Sequence, residues 1–337
     1  MSKLKKALLW IGISVLTIGC FFVTINLIPP AKVMDNNPFI IGENEKVMNA
    51  AHRGGGALNP ENTMKAFKAS VNEYKVDILE TDIWLTKDKK MVFNHDDSID
   101  RMSDVSLFDI PDVEQNEHLV SEFTLEELKN FNFGYGFETL EGEKPYKDLV
   151  SINDENRKQV IKDNELQIVE VEELFTAFYE SHPNLKFIVE IKNPSEDGFY
   201  VADQLAALLN DKFPNYLDNI VIGTFNGEVE NYLKEKHPSL LRGASEDGAT
   251  AFIVTQLLKV NLFDNSNFAC LQLPLKQAGI NLDSSDFINR AHQKNIAVQY
   301  WTINDKEDME RLIDLKCDAI MTDNPLLLNQ VIEEKYN

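Results

Sequence analysis

Short apolar runs alternate with segments of helical periodicity along most of this chain, and this alternation limits the possible folds more than any other feature. The runs that the pattern predicts to be strands are 47–51, 77–85, 91–95, 187–191, 220–224, 240–244, 268–273, 297–302 and 319–321. The helical segments include 63–74, 171–181, 200–212, 229–236, 285–294 and 306–315. Repeated strand–helix units are typical of a parallel sheet that is covered by helices.

One connection breaks this alternation. Only Thr86-Lys87-Asp88-Lys89-Lys90 separates the second predicted strand from the third. Five residues are too few for a parallel crossover, so these two strands are predicted to pair as a hairpin. When 91–95 is set aside, eight strands remain. Eight favours a closed α/β barrel, the (β/α)8 TIM barrel, over an open sheet.

The stretch between His95 and the next predicted strand is much longer than an ordinary connection requires. Residues from about 98 to 165 are acidic and rich in loops, with a capped helix predicted at 124–128. Functional loops occupy the carboxyl-end face of such barrels. We therefore expect a small inserted subdomain at about 98–165, over the barrel mouth.

The N-terminus has the pattern of a membrane anchor. Lys3, Lys5 and Lys6 precede an uncharged stretch at 7–28, and Pro29-Pro30 follow it. Such a stretch is long enough to cross about 30 Å of hydrocarbon. No Ala-x-Ala cleavage pattern occurs, whereas the residues before Cys20 loosely resemble a lipoprotein site, so cleavage and lipidation both stay open.

The predicted organisation is a transmembrane anchor at 1–30, a polar tether at 31–45 and a catalytic domain at 46–337. The positive N-terminal flank favours a cytoplasmic N-terminus. The expected location is therefore the cell membrane, with a single-pass anchor and an extracellular catalytic domain.

Composition narrows the class of partner. The chain has a net charge of −22 and 43% hydrophobic residues, so it can bury a large core. Nucleic acid is excluded as a partner because binding to its phosphate backbone requires a basic protein face, and this chain is strongly acidic. Three cysteines do not form a disulfide framework, and Cys270 and Cys317 are predicted to be buried core residues. No feature indicates an obligate protein partner.

Three carboxylates on predicted strands form a candidate metal site. Glu80 and Asp82 are two residues apart on one strand and therefore point the same way. Glu190, on the following barrel strand, adds a third oxygen ligand. Such a set suits one divalent cation, Mg²⁺ or Ca²⁺. The alternative is a polar strand edge that simply faces water.

Two histidines at strand ends are candidate acid/base groups. His52 and His95 each lie beside a charged residue, and such a pair can move protons at a nucleophile and a leaving group. Arg53 and Lys192 can hold a phosphoryl group. The alternatives are structural histidines and ordinary ion pairs. The remaining histidines, which are predicted to lie at the surface, are His118, His182, His237 and His292.

The ordered motifs together resemble the glycerophosphodiester phosphodiesterase family over roughly 47–332. The matching motifs are His52-Arg53-Gly54, Pro60-Glu61-Asn62-Thr63, Glu80-Thr81-Asp82, His95-Asp96 with Arg101, Val189-Glu190-Ile191-Lys192, Tyr300-Trp301-Thr302-Ile303-Asn304 and Thr322-Asp323-Asn324-Pro325. As an ordered set these motifs are highly specific, whereas no single one is.

The resemblance implies a TIM barrel and cation-dependent hydrolysis of a glycerophosphodiester to sn-glycerol 3-phosphate and an alcohol. A glycerol hydroxyl would attack phosphorus, and water would open the resulting cyclic phosphate. The implied roles are acid/base catalysis by His52 and His95, metal binding by Glu80, Asp82 and Glu190, and substrate binding by Arg53, Glu61, Lys192 and Trp301.

Two alternatives to this activity stay open. One is a lysophospholipase D-type phospholipase that acts on a lipid-derived substrate with the same barrel. The other is a catalytically silent, membrane-tethered binding module. The silent module would be expected to lack one of the site residues, and all of them are present in this chain.

Overall fold

The computed structural model describes residues 2–110 and 117–336. The strands are Met48–Ala51 (β1), Ile78–Leu85 (β2), Met91–Phe93 (β3), Lys186–Ile191 (β4), Ile220–Gly223 (β5), Leu241–Arg242 (β6), Cys270–Leu273 (β7), Lys276–Gln277 (β8), Ile280–Asn281 (β9), Ala297–Tyr300 (β10) and Ala319–Thr322 (β11). The helices are Lys3–Leu27 (α1), Met64–Asn72 (α2), Leu125–Leu128 (α3), Arg157–Asp163 (α4), Val171–Phe178 (α5), Ser195–Lys212 (α6), Gly227–Lys236 (α7), Glu246–Leu257 (α8), Ser285–Gln293 (α9), Lys306–Asp314 (α10) and Pro325–Tyr336 (α11).

Eight parallel strands form the predicted TIM barrel. Their order is β6-β5-β4-β2-β1-β11-β10-β7. The two ends of this order meet through a parallel bridge between Gly243 and Cys270, where the Ala244 N–H donates to the Cys270 carbonyl at 2.9 Å. β3 pairs antiparallel with β2, so the predicted hairpin is confirmed. The short antiparallel pair of β8 and β9 was not predicted from the sequence.

The side-chain alternation of β4 shows how the barrel places its polar residues. Phe187, Val189 and Ile191 pack in the apolar cluster that includes residues of the outer helices. Ile188 belongs to the cluster inside the barrel. Glu190 therefore points inward, one layer nearer the mouth than Ile188. Pairing of Glu190 with Asp82 brings both carboxylates into the same layer.

Residues 31–45 differ from the expected polar tether. Phe39 is fully buried, and its ring lies in the cluster with Met48 and Ala319 at the amino ends of the strands. The buried Asn37 side chain donates to the Ala269 carbonyl at 2.7 Å. The segment packs on the protein because the side chains at the amino ends of the barrel strands are apolar, and the apolar residues of the segment cover them.

The segment predicted as an insertion forms its own small structure, and its boundaries stay a prediction. α3 begins after Thr124, whose side chain caps it as expected. Val105, Val120 and Phe131 are buried together, and Arg157 of α4 forms a buried ion pair with Asp104. The segment thus packs around side chains of its own next to β3.

One local prediction needs correction, and two helices were not predicted. His118 was predicted at the surface, but it is 3% exposed and lies 2.7 Å from the Asp100 carboxylate, which satisfies its polar ring. α8 was not predicted because its outward and inward faces are both apolar, so it lacks helical periodicity. α11 was not predicted either, and it starts directly at Pro325. Cys270 and Cys317 are buried as expected.

Candidate active site

A cavity of about 170 Å³ opens at the carboxyl ends of the barrel strands. Among the residues that line it are eight of the nine predicted site residues: His52, Arg53, Glu80, Asp82, His95, Glu190, Lys192 and Trp301. The ninth, Glu61, lies behind Arg53 rather than in the lining. The barrel therefore brings together residues that are up to about 250 positions apart in the chain.

The three predicted metal ligands converge in this cavity. Glu80 and Asp82 are 4% and 1% exposed, and Glu190 is partly buried. One carboxylate oxygen from each residue lies within 4.8 Å of the others. Three negative charges this close repel one another strongly in a buried environment. The cluster therefore requires a proton or a cation.

The pKa values of these carboxylates also indicate that the cluster carries excess negative charge. Burial, together with the charge of Asp82, raises the pKa of Glu80 to about 8. Burial also raises the pKa of Glu190, although the nearby Lys192 ammonium opposes this. Lys192 Nζ lies 3.1 Å from Asp82 Oδ1 and 3.0 Å from Glu190 Oε1. One ammonium thus compensates only part of the charge, and the oxygen-only donor set fits a hard divalent cation.

His52 lies directly after β1 and is held by a carboxylate. Its Nδ1 is 2.6 Å from Asp323 Oδ1, and its Nε2 is 4.0 Å from Glu80 Oε2. Burial lowers the pKa of His52, but the Asp323 hydrogen bond and the charges of Glu80 and Asp323 outweigh it and raise the pKa. Asn304 Nδ2 donates to Asp323 Oδ2 at 2.7 Å and so anchors the partner.

His95 has an equivalent arrangement after β3. Its Nδ1 is 2.7 Å from Asp96 Oδ1, and Arg101 Nε donates to Asp96 Oδ2 at 2.6 Å. The hydrogen bond with His95 and the Arg101 guanidinium hold the pKa of Asp96 well below its usual range. Arg101 also binds Glu61 through Nη1 at 3.0 Å and Nη2 at 2.6 Å.

The backbone turn after β1 positions Arg53. Arg53 has a φ of 52°, and Gly54 and Gly55 follow with φ of 80° and 85°. A Cβ on Gly54 would come within 2.9 Å of the Phe67 ring, so the turn packs tightly on α2. The turn directs the Arg53 N–H to Glu80 Oε2 at 2.8 Å, while the guanidinium lies 3.3 Å from Glu61.

Two aromatic side chains border the cavity. The Trp301 and Phe225 rings meet edge to face with centroids 5.9 Å apart. Lys192 Nζ lies 5.8 Å from the centroid of the Phe225 ring, which is 53% exposed. This rim offers apolar surface beside the charged end of the cavity.

Sequence reasoning missed Asp323 and Phe225 as site residues. Asp323 follows β11 directly, and a carboxylate at a strand end was the signal that identified Glu190. The family resemblance includes Thr322-Asp323-Asn324-Pro325 but implies no role for Asp323. Phe225 follows β5 and carries no comparable signal, because a lone aromatic residue at a strand end is ordinary.

Comparison with known proteins decides the family. The sequence model of the Glycerophosphoryl diester phosphodiesterase family matches residues 52–327. The chain belongs to this family. The matched region contains both histidines and all three carboxylates, and it spans every strand of the barrel after β1. The predictions of the family, of an enzyme of this class and of the fold are therefore confirmed.

Individual members of the glycerophosphoryl diester phosphodiesterase family are only distantly similar in sequence. A glycerophosphodiester phosphodiesterase of Caldanaerobacter subterraneus subsp. tengcongensis is 25% identical over 86% of this chain and 99% of its own. A human protein named lysophospholipase D GDPD1 is 23% identical over 84% of this chain and 85% of its own. The crystal structure of a putative glycerophosphoryl diester phosphodiesterase of Silicibacter pomeroyi superposes with a TM-score of 0.65 at 17% identity. The match covers 87% of this chain and 95% of the other.

Proposed function

We propose that this chain hydrolyses glycerophosphodiesters to sn-glycerol 3-phosphate and an alcohol, with one divalent cation and two acid/base histidines. The observation that carries this proposal is the meeting of Glu80, Asp82 and Glu190 within 4.8 Å in a cavity that His52 and His95 also line. Phosphodiester cleavage needs both charge neutralisation and proton transfer at two oxygens, and this cavity offers groups for both.

Glu80, Asp82 and Glu190 would hold the cation, Mg²⁺ or Ca²⁺. When bound, a divalent cation supplies Lewis-acid polarisation of a phosphate oxygen. Their buried carboxylates fit that role because they provide hard oxygen donors and excess negative charge. The Arg53 N–H holds one oxygen of Glu80 and so fixes the direction of this carboxylate.

The two histidines would exchange protons through Nε2. In each ring a carboxylate lies at Nδ1, Asp323 for His52 and Asp96 for His95. Because a carboxylate accepts the Nδ1 proton, Nε2 is left to take or give one. One histidine would accept the proton of the attacking glycerol hydroxyl. The other would donate a proton to the oxygen of the leaving alcohol.

The cationic side chains would bind the phosphate. Arg53 and Lys192 line the cavity beside the carboxylates and can pair with phosphate oxygens. Glu61 would act on the substrate through Arg53, since it contacts the guanidinium at 3.3 Å. Trp301 would form the apolar wall of the glycerol pocket.

A lysophospholipase D-type activity is the second candidate. The aromatic rim of Trp301 and Phe225 offers apolar surface on which a chain or headgroup can rest. A human relative carries that name. Turnover of lysophosphatidylcholine faster than that of glycerophosphocholine would favour this second candidate.

We also propose that α1 is a single membrane span with the catalytic domain outside the cell. α1 has 25 residues, an 18-residue window within it has a mean hydropathy of 2.3, and its large apolar side chains are exposed except for Ile25. Lys3, Lys5 and Lys6 lie in the first turn of α1, before its apolar stretch. Positive charge at this end favours a cytoplasmic N-terminus.

The test of the hydrolase proposal is a product assay on the purified full-length chain. We expect release of sn-glycerol 3-phosphate from glycerophosphocholine, its loss in EDTA, and recovery with Mg²⁺ or Ca²⁺. Glu80→Ala should be inactive under every condition. Glu310→Ala is the matched control, because Glu310 is 40% exposed on α10 and lies 3.8 Å from Lys306, its partner. Full activity in EDTA would contradict the metal role.

A further inference from the structure

The outward face of α8 is apolar where a surface helix normally carries polar residues. Val254, Leu257 and Leu258 are 47%, 56% and 61% exposed, and Phe263 in the following turn is 56% exposed. Positions 254, 257 and 258 share one helix face. The opposite face packs into the barrel wall through Phe252 and Ile253. We call the four exposed residues the α8 corner.

The α8 corner lies in a segment that carries almost no charge. The chain has 55 acidic residues, yet residues 249–263 contain none, and Lys259 is their one charged side chain. The side chain of the next residue, Asp264, is 3% exposed and paired with Lys294. A contiguous exposed apolar patch of this kind marks an interaction surface rather than an ordinary solvated face. Anionic and zwitterionic headgroups tolerate such a surface, since nothing on it repels phosphate.

The end of α1 lies against this same corner. Asn26 Nδ2 donates to the Lys259 carbonyl at 2.8 Å, and Asn26 Oδ1 accepts from the Arg290 guanidinium at 3.4 Å. Ile25 is the one buried side chain among the described residues of α1. The helix therefore meets the barrel through its last turn and otherwise projects away from it.

We propose that the α8 corner lies in the headgroup region of the bilayer that holds α1. This inference rests on the proposal that α1 spans a membrane. The last turn of a spanning helix lies at the membrane–water interface. Because Asn26 is bonded to Lys259, the neighbouring Leu257 and Leu258 lie at that level. Their exposed side chains then lose contact with water, which is favourable for apolar surface.

This placement orients the catalytic mouth. α8 begins just after Ala244, which lines the cavity, and it runs for 12 residues, or ~18 Å, toward the amino ends of the strands. The α8 corner and the cavity are therefore at opposite ends of the barrel. The mouth faces away from the bilayer that anchors the enzyme.

The test is the depth of fluorescent labels in full-length protein reconstituted into vesicles of phosphatidylcholine and phosphatidylglycerol. In a Cys20→Ser background, the cysteines left are buried Cys270 and Cys317. An environment-sensitive dye is placed at Leu258→Cys or, as the matched control, at Leu140→Cys, which is 65% exposed in the segment predicted as an insertion. Nitroxide-labelled lipid should quench most of the fluorescence at 258 and none at 140.

Equal quenching at the two positions, or none at 258, would overturn the inference. A second arm places the dye at Phe263→Cys and adds Leu257→Ser with Leu258→Ser, which should weaken quenching while glycerophosphocholine turnover stays unchanged, because α1 and the Asn26–Lys259 contact remain. Quenching as strong in this variant as in Phe263→Cys alone would also contradict the inference. Extraction of the chain from vesicles by alkaline carbonate would refute the membrane span itself. Absence of turnover in the unmodified chain would count against the proposed hydrolase and leave the quenching result intact.

Discussion

The imidazole of His52 and the carboxylate of Asp323 lie 2.6 Å apart at Nδ1 and Oδ1, although 271 positions separate them along the chain. They meet because β1 and β11 are neighbours in the closed barrel. The carboxylate fixes the ring orientation and favours the protonated imidazole, so Asp323 is a positioning residue for His52.

Asp323→Asn is expected to lower kcat by about 100-fold with little change in KM, the size of an acid/base contribution. The pKa of His52 should fall, because burial remains while the carboxylate that raises it is removed. The checks are a pH–rate profile and imidazole titration by NMR. Asp314→Asn, 66% exposed at the end of α10, is the control. An unchanged pH profile would reduce Asp323 to a structural role.

The stability of the metal-free protein should depend on Glu80. Its pKa is about 8 in the folded chain against 4.5 for an ordinary glutamate, so the folded state binds the extra proton between these values. Folding stability is therefore expected to fall as pH rises from about 4.5 to about 8. A cation replaces that proton, so the rise in Tm on adding Mg²⁺ or Ca²⁺ should grow over the same window. A cation effect that is equal at both ends of the window would argue against this.

Glu80→Gln separates function from stability. The amide keeps an oxygen for the Arg53 N–H but removes a buried charge. We expect loss of activity and of the cation-induced rise in Tm, together with a metal-free Tm at high pH that is equal to or above that of the unmodified chain. Glu310→Gln serves as the exposed comparison in the same melts. A strongly lowered metal-free Tm would show that Glu80 stabilises the fold.

Arg101 connects the His95 side of the site to Glu61. Its guanidinium contacts both Asp96 and Glu61, and it is 45% exposed. Arg101→Lys keeps one charge but cannot span both carboxylates. A decrease in kcat of about tenfold or less is expected, because solvent screens a partly exposed pair. Steady-state kinetics with glycerophosphocholine measure it, and unchanged kcat would mean that Asp96 holds His95 unaided.

The orientation of the mouth predicts a preference between substrates. Anchored in vesicles, the full-length chain should release sn-glycerol 3-phosphate from dissolved glycerophosphocholine faster than it cleaves lysophosphatidylcholine embedded in the same vesicles. The reason is that the cavity and the α8 corner are at opposite ends of the barrel. Mass-spectrometric product assays on the two substrates provide the comparison, and a reversed preference would favour the lysophospholipase D-type activity.

Local patterns in the sequence were sufficient to predict the barrel, the hairpin and the histidines and carboxylates that line the cavity. Alternation with a period of two places Glu80 and Asp82 on one side of β2, and a connection of five residues requires β2 and β3 to be antiparallel. These features depend on neighbours in the chain, so periodicity and loop length reveal them.

Only the tertiary structure decided which distant residues meet. The partnership of His52 with Asp323, the covering of the barrel floor by Phe39 and the burial of His118 against Asp100 all follow from strand closure and packing between remote segments. The sequence also does not show that the outer face of α8 is exposed. A stretch with apolar residues on both faces has the same pattern whether protein covers both faces or only one. Burial is a property of the assembled fold, and no local pattern specifies it.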